Sequence, residues 1–223
     1  GSALDYSKSR LWELCLSGMF HDIGKMFIDP NILNKPALLT SEEFGCMREH
    51  PRYSYKFLNQ HADISEAVKL GTLCHHENED GSGYPLGISG EQIPPFAKIL
   101  HVVDVYDALA SKRPYKQAYA CSEAVEYLMG GSTTMFDEEI VSVFVKHVPI
   151  YPKGMSVILS DGREGIVSAY NEASNLRPKI RLMNGREIDL MNIDEYSALT
   201  ILKPNNDDMA LAGIGVAMKV TMM

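Results

Sequence analysis

His21-Asp22, His50, His75-His76 and Asp104 lie in the first half of the chain and constrain it more than any other feature. They offer six imidazole and carboxylate side chains, the types that suit first-row transition metals. To share ions, the segments that carry them must pack around one point. A single metal uses three or four protein ligands. Six, including two adjacent pairs, point to at least two metals with a shared ligand. Paired metals are a common device for attacking a phosphodiester with water, so the pattern points to metal-dependent phosphodiester hydrolysis.

Taken singly, each motif also has an ordinary structural reading. Adjacent helical residues point about 100° apart, so His21 and Asp22 serve one ion poorly from an ideal helix. At a helix end they can serve neighbouring ions with Asp22 as the bridge, or form a capped, exposed pair. His75-His76 follow Leu70 and Leu73 and precede a Gly-rich turn, which places them at a rim where a helix meets a loop. Asp104 is embedded in Ile99-Leu100-His101-Val102-Val103-Asp104-Val105-Tyr106, and a carboxylate in such a run should be buried and need a partner. That partner is a metal, a helix N-terminus or a cation, and Asp107 could be the buried acid in its place. His101, three residues before Asp104, could support a ligand from behind. His61 and His147 read as ordinary surface or packing residues.

The rest of the chain bounds the setting. Its 223 residues suffice for one ordinary domain and a small second one. Lys and Arg number 21 against 29 Asp and Glu, a formal charge of −8 that argues against a broad nucleic-acid surface. It does not argue against a small anionic substrate, because metals and a few local cations can reverse the field inside a site. Cys15, Cys46, Cys74 and Cys121 show no CxxC spacing and read as reduced core thiols of a cytoplasmic protein. There is no signal peptide, and no apolar run reaches the ~20 residues of a membrane span. Gly1-Ser2 reads as a cloning remnant, so the chain is expected to begin inside a larger protein.

Up to residue 147 the pattern predicts mainly helix, over 11–20, 65–76, 96–109, 122–129 and 137–147, with Gly24 as a helix stop. Pro30 and Pro36 predict a loop over 28–39. Thr40 and Glu43 form a capping-box pair that opens a helix carrying His50, and Pro51 bends it or opens the next. Residues 148–152 read as a linker. Beyond them, runs rich in β-branched residues at 156–159, 165–169, 179–182 and 187–190, with turns at Asp161-Gly162 and Asn184-Gly185, predict a small barrel or SH3-like sheet. The expected fold is therefore mainly α: a helical metal-site domain over 5–147, a small β domain over 148–203, and an unassigned tail over 204–223.

Several motifs resemble those of the HD-GYP subgroup of the HD metal-dependent phosphohydrolase superfamily. His21-Asp22-Ile23-Gly24-Lys25 resembles the HD signature, and Asn31-Ile32-Leu33-Asn34-Lys35-Pro36, with Leu39-Thr40 and Glu43-Phe44, the segment that follows it. Glu49-His50-Pro51, His75-His76-Glu77, Asp80-Gly81-Ser82-Gly83-Tyr84-Pro85, and Asp104-Val105-Tyr106-Asp107-Ala108-Leu109 with Arg113-Pro114-Tyr115-Lys116 match the remaining motifs. The resemblance covers roughly residues 11 to 147, and the piece from Tyr151 to Leu190 looks like a β extension seen in some relatives.

The resemblance implies an HD-type helical domain with two or three divalent metals, iron first and manganese second. Its implied activity is hydrolysis of cyclic di-GMP, or a related cyclic dinucleotide, to the linear dinucleotide or GMP by a metal-bridged hydroxide. By the same resemblance His21, Asp22, His50, His75, His76 and Asp104 are the ligands, with Asp22 bridging. Lys25 would neutralise the scissile phosphate or assist proton transfer, Arg113 and Lys116 would hold phosphate, and Gly83, Tyr84 and Pro85 would line the substrate. An upstream sensor or receiver domain and a homodimer are further implied partners; DNA is not. Two departures stand out. The subgroup has an earlier helix that supplies another histidine, expected upstream of Asp5, and Asn78 stands where arginine is common. The rival functions are an HD nucleotidase acting on other nucleotides, and a cyclic di-GMP-sensing or protein-interaction module without turnover.

Overall fold

Four of the described helices begin where a side-chain oxygen satisfies a free amide. The computed structural model describes residues 1–111, 119, 121–148, 150–171 and 174–204. Helix α1 (Lys8–Phe20) is capped by Ser7, whose hydroxyl accepts from the Arg10 amide. Within the expected loop lies a one-turn helix, α2 (Pro30–Leu33), capped by Asp29 and opened by Pro30. The Thr40–Glu43 capping box is formed at the start of α3 (Ser41–Met47). A separate helix, α4 (His50–Leu58), begins at His50 itself with Pro51 in its first turn.

Two helices complete the core of this half, with two more behind them. Helix α5 (Glu66–Leu73) packs against α1, α4 and α6 (Pro95–Ala110), burying Val68, Gly71, Thr72 and Leu73. It ends three residues earlier than the pattern predicts: Cys74 leaves helical geometry, and the His75-His76 pair follows in a turn. Helices α7 (Cys121–Gly130) and α8 (Glu138–His147), the latter capped by Asp137, close over α6 through Val102, Val105, Leu109, Leu128, Phe136 and Val141.

Gly24 is not a helix stop. Helix α1 ends at Phe20, and Gly24 lies in a 3-10 turn over Ile23–Phe27. A Cβ there would overlap the His50 carbonyl oxygen and the Ser54 amide nitrogen. The Gly24 amide donates to Ser54 Oγ (2.9 Å), and that hydroxyl donates to the His21 carbonyl (2.9 Å). The glycine thus lets the backbone after α1 lie directly on α4, which brings His21 and Asp22 alongside His50.

The C-terminal half is a five-stranded antiparallel sheet, ordered β4-β3-β2-β1-β5. The four expected strands are present as β1 (Ser156–Leu159), β2 (Glu164–Asn171), β3 (Ser174–Leu182) and β4 (Glu187–Asp189). A short helix α9 (Ile193–Tyr196) and strand β5 (Ile201–Pro204), neither expected from the sequence, return the chain to the free edge of β1. Arg177 holds that return: its guanidinium donates to the carbonyls of Leu190 (2.6 Å) and Tyr196 (2.7 Å). The sheet's apolar face, with Val157, Leu159, Val167, Ile180, Ile188 and Leu190, shares one core with Val125 of α7 and Ile150. Asn175 also donates to the carbonyls of Lys146 (2.7 Å) and Val148 (3.0 Å), so β3 caps the end of α8.

No cysteine among the described residues is disulfide-bonded, but only Cys74 is buried; Cys15 and Cys46 are exposed, contrary to the core reading. Among the described residues no helix is long and apolar enough to cross a membrane. The tail over 205–223 lies outside the described residues.

Gly24→Ala should destabilise the protein by about 3 kcal/mol, because the backbone it meets cannot rotate away. A denaturant midpoint unchanged from the parent would contradict this account of the α1–α4 contact.

Candidate metal centre

Three of the cluster's histidines, His21, His50 and His75, are oriented by their other ring nitrogen. Nδ1 of His21 lies 2.7 Å from the Gly18 carbonyl, Nδ1 of His50 2.9 Å from that of Met47, and Nδ1 of His75 2.7 Å from that of Thr72. Carbonyls only accept, so each Nδ1 carries the proton and each Nε2 presents a lone pair inward when the ring is neutral. These Nε2 atoms converge. His50 Nε2 lies 3.2 Å from Asp22 Oδ1 and 3.4 Å from His75 Nε2, and His21 Nε2 lies 3.4 Å from Asp22 Oδ2 and 3.8 Å from Asp104 Oδ1. Ligand atoms of His50, His75 and His76 fall within 4.8 Å of one another, as do those of His21, Asp22 and His75.

The donor set fits metal ions on two counts. His21 Nε2 and Asp22 Oδ1 are buried and make no well-directed hydrogen bond, only ion-pair contacts of 3.2 to 3.8 Å, a costly arrangement for polar atoms unless something else binds them. Moreover, two neutral imidazole lone pairs facing each other at 3.4 Å repel, whereas a cation between them is bound by both. His75 belongs to both three-residue groups and Asp22 lies between His21 and His50, as expected where two ions share a carboxylate.

Charge in the cluster is uneven. Burial, reinforced by neighbouring His50 and His21, pushes the His75 pKa down to about 3 and that of His76 well below its ordinary value. Both rings are therefore neutral near pH 7 and can offer lone pairs. Burial acts against the charged form of His21 too, but Asp104 and Asp22 beside it outweigh burial and raise its pKa to about 10. Asp22 is 4% exposed, and burial alone would raise its pKa; His21, His50 and Lys25 overcome this and hold it ionised. Lys25 Nζ sits 2.6 Å from Asp22 Oδ2.

Asp104, not Asp107, is the enclosed acid of α6. Its side chain is 14% exposed and faces His21, whereas Asp107 is exposed and accepts a hydrogen bond from the Ser111 hydroxyl. His101 Nδ1 lies 2.9 Å from the His75 carbonyl, so it supports the ligand segment from behind. His61 and His147 are exposed and remote from the cluster.

Over the cluster lies the loop that contains Gly83-Tyr84-Pro85. The Tyr84 ring stacks on His76 with centroids 4.7 Å apart and planes at 25°. Gly83 rests on the backbone of His76, Glu77 and Asn78, where a Cβ would overlap main-chain atoms. The Pro85 carbonyl accepts from Arg52 (2.6 Å). Glu77, to which the sequence reading gave no role, anchors the loop. Its carboxylate is 2% exposed and accepts from the amides of Leu86 (2.6 Å), Gly87 (3.2 Å) and Ile88 (3.2 Å). A carboxylate directly after two ligands and ahead of a glycine-rich stretch was the available signal. Arg113 and Lys116 lie outside the described residues.

A family model described as HD domain matches residues 1–140. This chain belongs to the HD domain family. Among curated proteins it is 42% identical over 170 residues to the "Cyclic di-GMP phosphodiesterase PA4108" of Pseudomonas aeruginosa, covering 76% of this chain and 41% of that protein. It is 40% identical over 134 residues to the "Cyclic di-GMP phosphodiesterase response regulator RpfG" of Xanthomonas campestris, covering 59% of this chain and 35% of that protein. It is also 35% identical over 128 residues to the "3'3'-cGAMP-specific phosphodiesterase 2" of Vibrio cholerae, covering 57% and 24% respectively. The chain thus spans less than half the length of these relatives. The resemblance to HD phosphohydrolases read from the sequence is borne out.

Asp22→Asn keeps the shape but removes the central negative charge. It should weaken Mn(II) binding by more than about tenfold, at least the loss seen when a residue behind a ligand is removed, with unchanged far-UV circular dichroism. Metal analysis after dialysis checks this. His21 must lose its Nε2 proton to ligate, and its raised pKa keeps that proton bound through neutral pH. Mn(II) affinity should therefore rise with pH toward about 10, by up to about tenfold per unit for one released proton. Titrations at two pH values in a non-chelating buffer would show the slope.

Proposed function

We propose that the chain carries a metal-dependent phosphodiesterase unit that hydrolyses cyclic di-GMP to the linear dinucleotide, GMP or both. The observation that carries this reading is the convergence of His21, Asp22, His50, His75, His76 and Asp104 beneath the Tyr84 loop. The names of the relatives support the substrate class. The ligand set suits two or three divalent ions, iron first and manganese second, which when bound would supply Lewis acidity toward water and phosphate oxygens.

The chain's own residues prepare that chemistry. His75 and His76, held neutral by burial, offer lone pairs, and ionised Asp22 offers the shared carboxylate. Lys25 keeps Asp22 charged and stands close enough to move toward a phosphate oxygen as the carboxylate is taken up by cations. Stacking of Tyr84 on His76 fixes the ligand ring and shields it from water. Gly83, Tyr84 and Pro85 form the substrate-facing loop, and Arg113 and Lys116 supply further phosphate contacts. No step requires a serine or cysteine nucleophile.

We place this chemistry in a unit over 5–147. The sheet over 148–203 then has a structural role, buttressing α7 and α8 through the shared core. A cytoplasmic setting, a homodimer and an attached sensor or receiver domain accord with this reading. A relative named for 3'3'-cGAMP favours one second substrate, the mixed GMP–AMP ring.

The test is product chromatography after adding cyclic di-GMP to the chain reconstituted anaerobically with Fe(II) or Mn(II). Linear dinucleotide or GMP is expected from the parent and none from Asp22→Asn. Turnover by Asp22→Asn at the parental rate would sink the proposed site. Tight binding by the parent without product would favour a receptor.

A further inference from the structure

The proposed substrate carries two phosphodiesters, and a single metal centre acts on one of them. The other needs donors of its own, and Arg113 and Lys116, already given to phosphate, lie outside the described residues. Most described cations around the site are engaged. Lys25 is paired with Asp22 (2.6 Å), Arg52 donates to the Pro85 carbonyl (2.6 Å) and lies 3.6 Å from Glu49, and Lys98 bridges Glu79 (2.9 Å) and Asp137 (3.0 Å).

Arg48 differs. It is the residue that ends α3, two positions before the ligand His50, and it is half-buried. Its guanidinium carbon lies 4.6 Å from the centroid of the Tyr84 ring, the same ring that stacks on His76. Among the described residues its side chain has no carboxylate or carbonyl partner. The aromatic ring holds the guanidinium in place while leaving its in-plane N–H donors free, and a planar fork of donors suits two phosphate oxygens at once. A half-buried cation without an anion is a desolvation cost that an incoming phosphate would relieve.

Resting on the hydrolase reading for its substrate, we propose that Arg48 binds the second, non-scissile phosphate of the cyclic dinucleotide. It is thereby a specificity-determining residue that favours a two-phosphate ring over simple phosphodiesters.

The test compares parent and Arg48→Gln on two substrates with the Mn(II)-loaded chain: cyclic di-GMP and bis(p-nitrophenyl) phosphate, which has one phosphate. The variant should raise KM for cyclic di-GMP by about tenfold or more, the size of one charge-assisted contact. Its kcat/KM for the single-phosphate ester should stay within about twofold of the parent, with metal content and thermal midpoint unchanged. Equal losses on both substrates would assign Arg48 only to packing Tyr84 and overturn the proposal, as would an unchanged KM. Calorimetry of cyclic di-GMP binding to the chelator-treated chain is the second arm. There the variant should bind about tenfold more weakly than the parent, and equal affinity, or no binding by the parent, also overturns the proposal. If the parent turns over neither substrate, the hydrolase reading fails while the calorimetric comparison still decides the role of Arg48.

Discussion

A buried carboxylate organises this protein. Asp22 is almost wholly removed from water, and an ionised acid in that position is tolerated only when cations or strong donors surround it. The fold supplies His21 from the same turn, Lys25 from the next and His50 from α4. Each arrives by a different structural device. Helix α1 ends so that His21 and Asp22 fall in the turn after it, the Ile23–Phe27 turn brings Lys25 back, and Gly24 lets that turn lie on α4. Removing any of these weakens the compensation of a charge held in the interior, so the site and the helical core depend on each other.

The loop over the cluster is held by the same economy of charge. Glu77 follows the His75-His76 pair and turns its carboxylate away from the ligands, onto the amides of residues 86–88. The loop would otherwise leave these amides unpaired. The adjacent histidines and the glutamate therefore divide the work: the rings face the centre and the acid fixes the cover. Tyr84 then lies flat on His76, which ties the position of the loop to that of a candidate ligand. Lys98, bound to both Glu79 and Asp137, connects the far end of this loop to the start of α8.

Behind the site, the five-stranded sheet is not an independent appendage in energetic terms. Val125, Tyr106 and Val145 from the helices enter its apolar core, and Asn175 satisfies the last carbonyls of α8. Burial of this shared surface, with one set of helix-end groups, fixes α7 and α8 and through them the face of α6 that carries Asp104.

Much of this was legible in the amino-acid sequence. Residue chemistry and spacing singled out the six candidate ligand side chains, the mainly helical first half, the capping box at Thr40 and four of the strands, because these depend on local pattern and side-chain type. Other features were decided only by the tertiary structure. Asp104 rather than Asp107 faces the cluster because α6 turns that side toward His21. Helix α5 stops at Leu73 because His75 and His76 must leave helical geometry to reach His50. Strand β5 and helix α9 lack a strong local pattern and exist because Arg177 and the edge of β1 supply their partners. Gly24 is a close-contact residue and not a helix stop, Glu77 is a latch, and Arg48 sits beside Tyr84. The first and last follow from contacts between segments distant in sequence, which local pattern does not encode, whereas Glu77 reaches amides only 9 to 11 residues away.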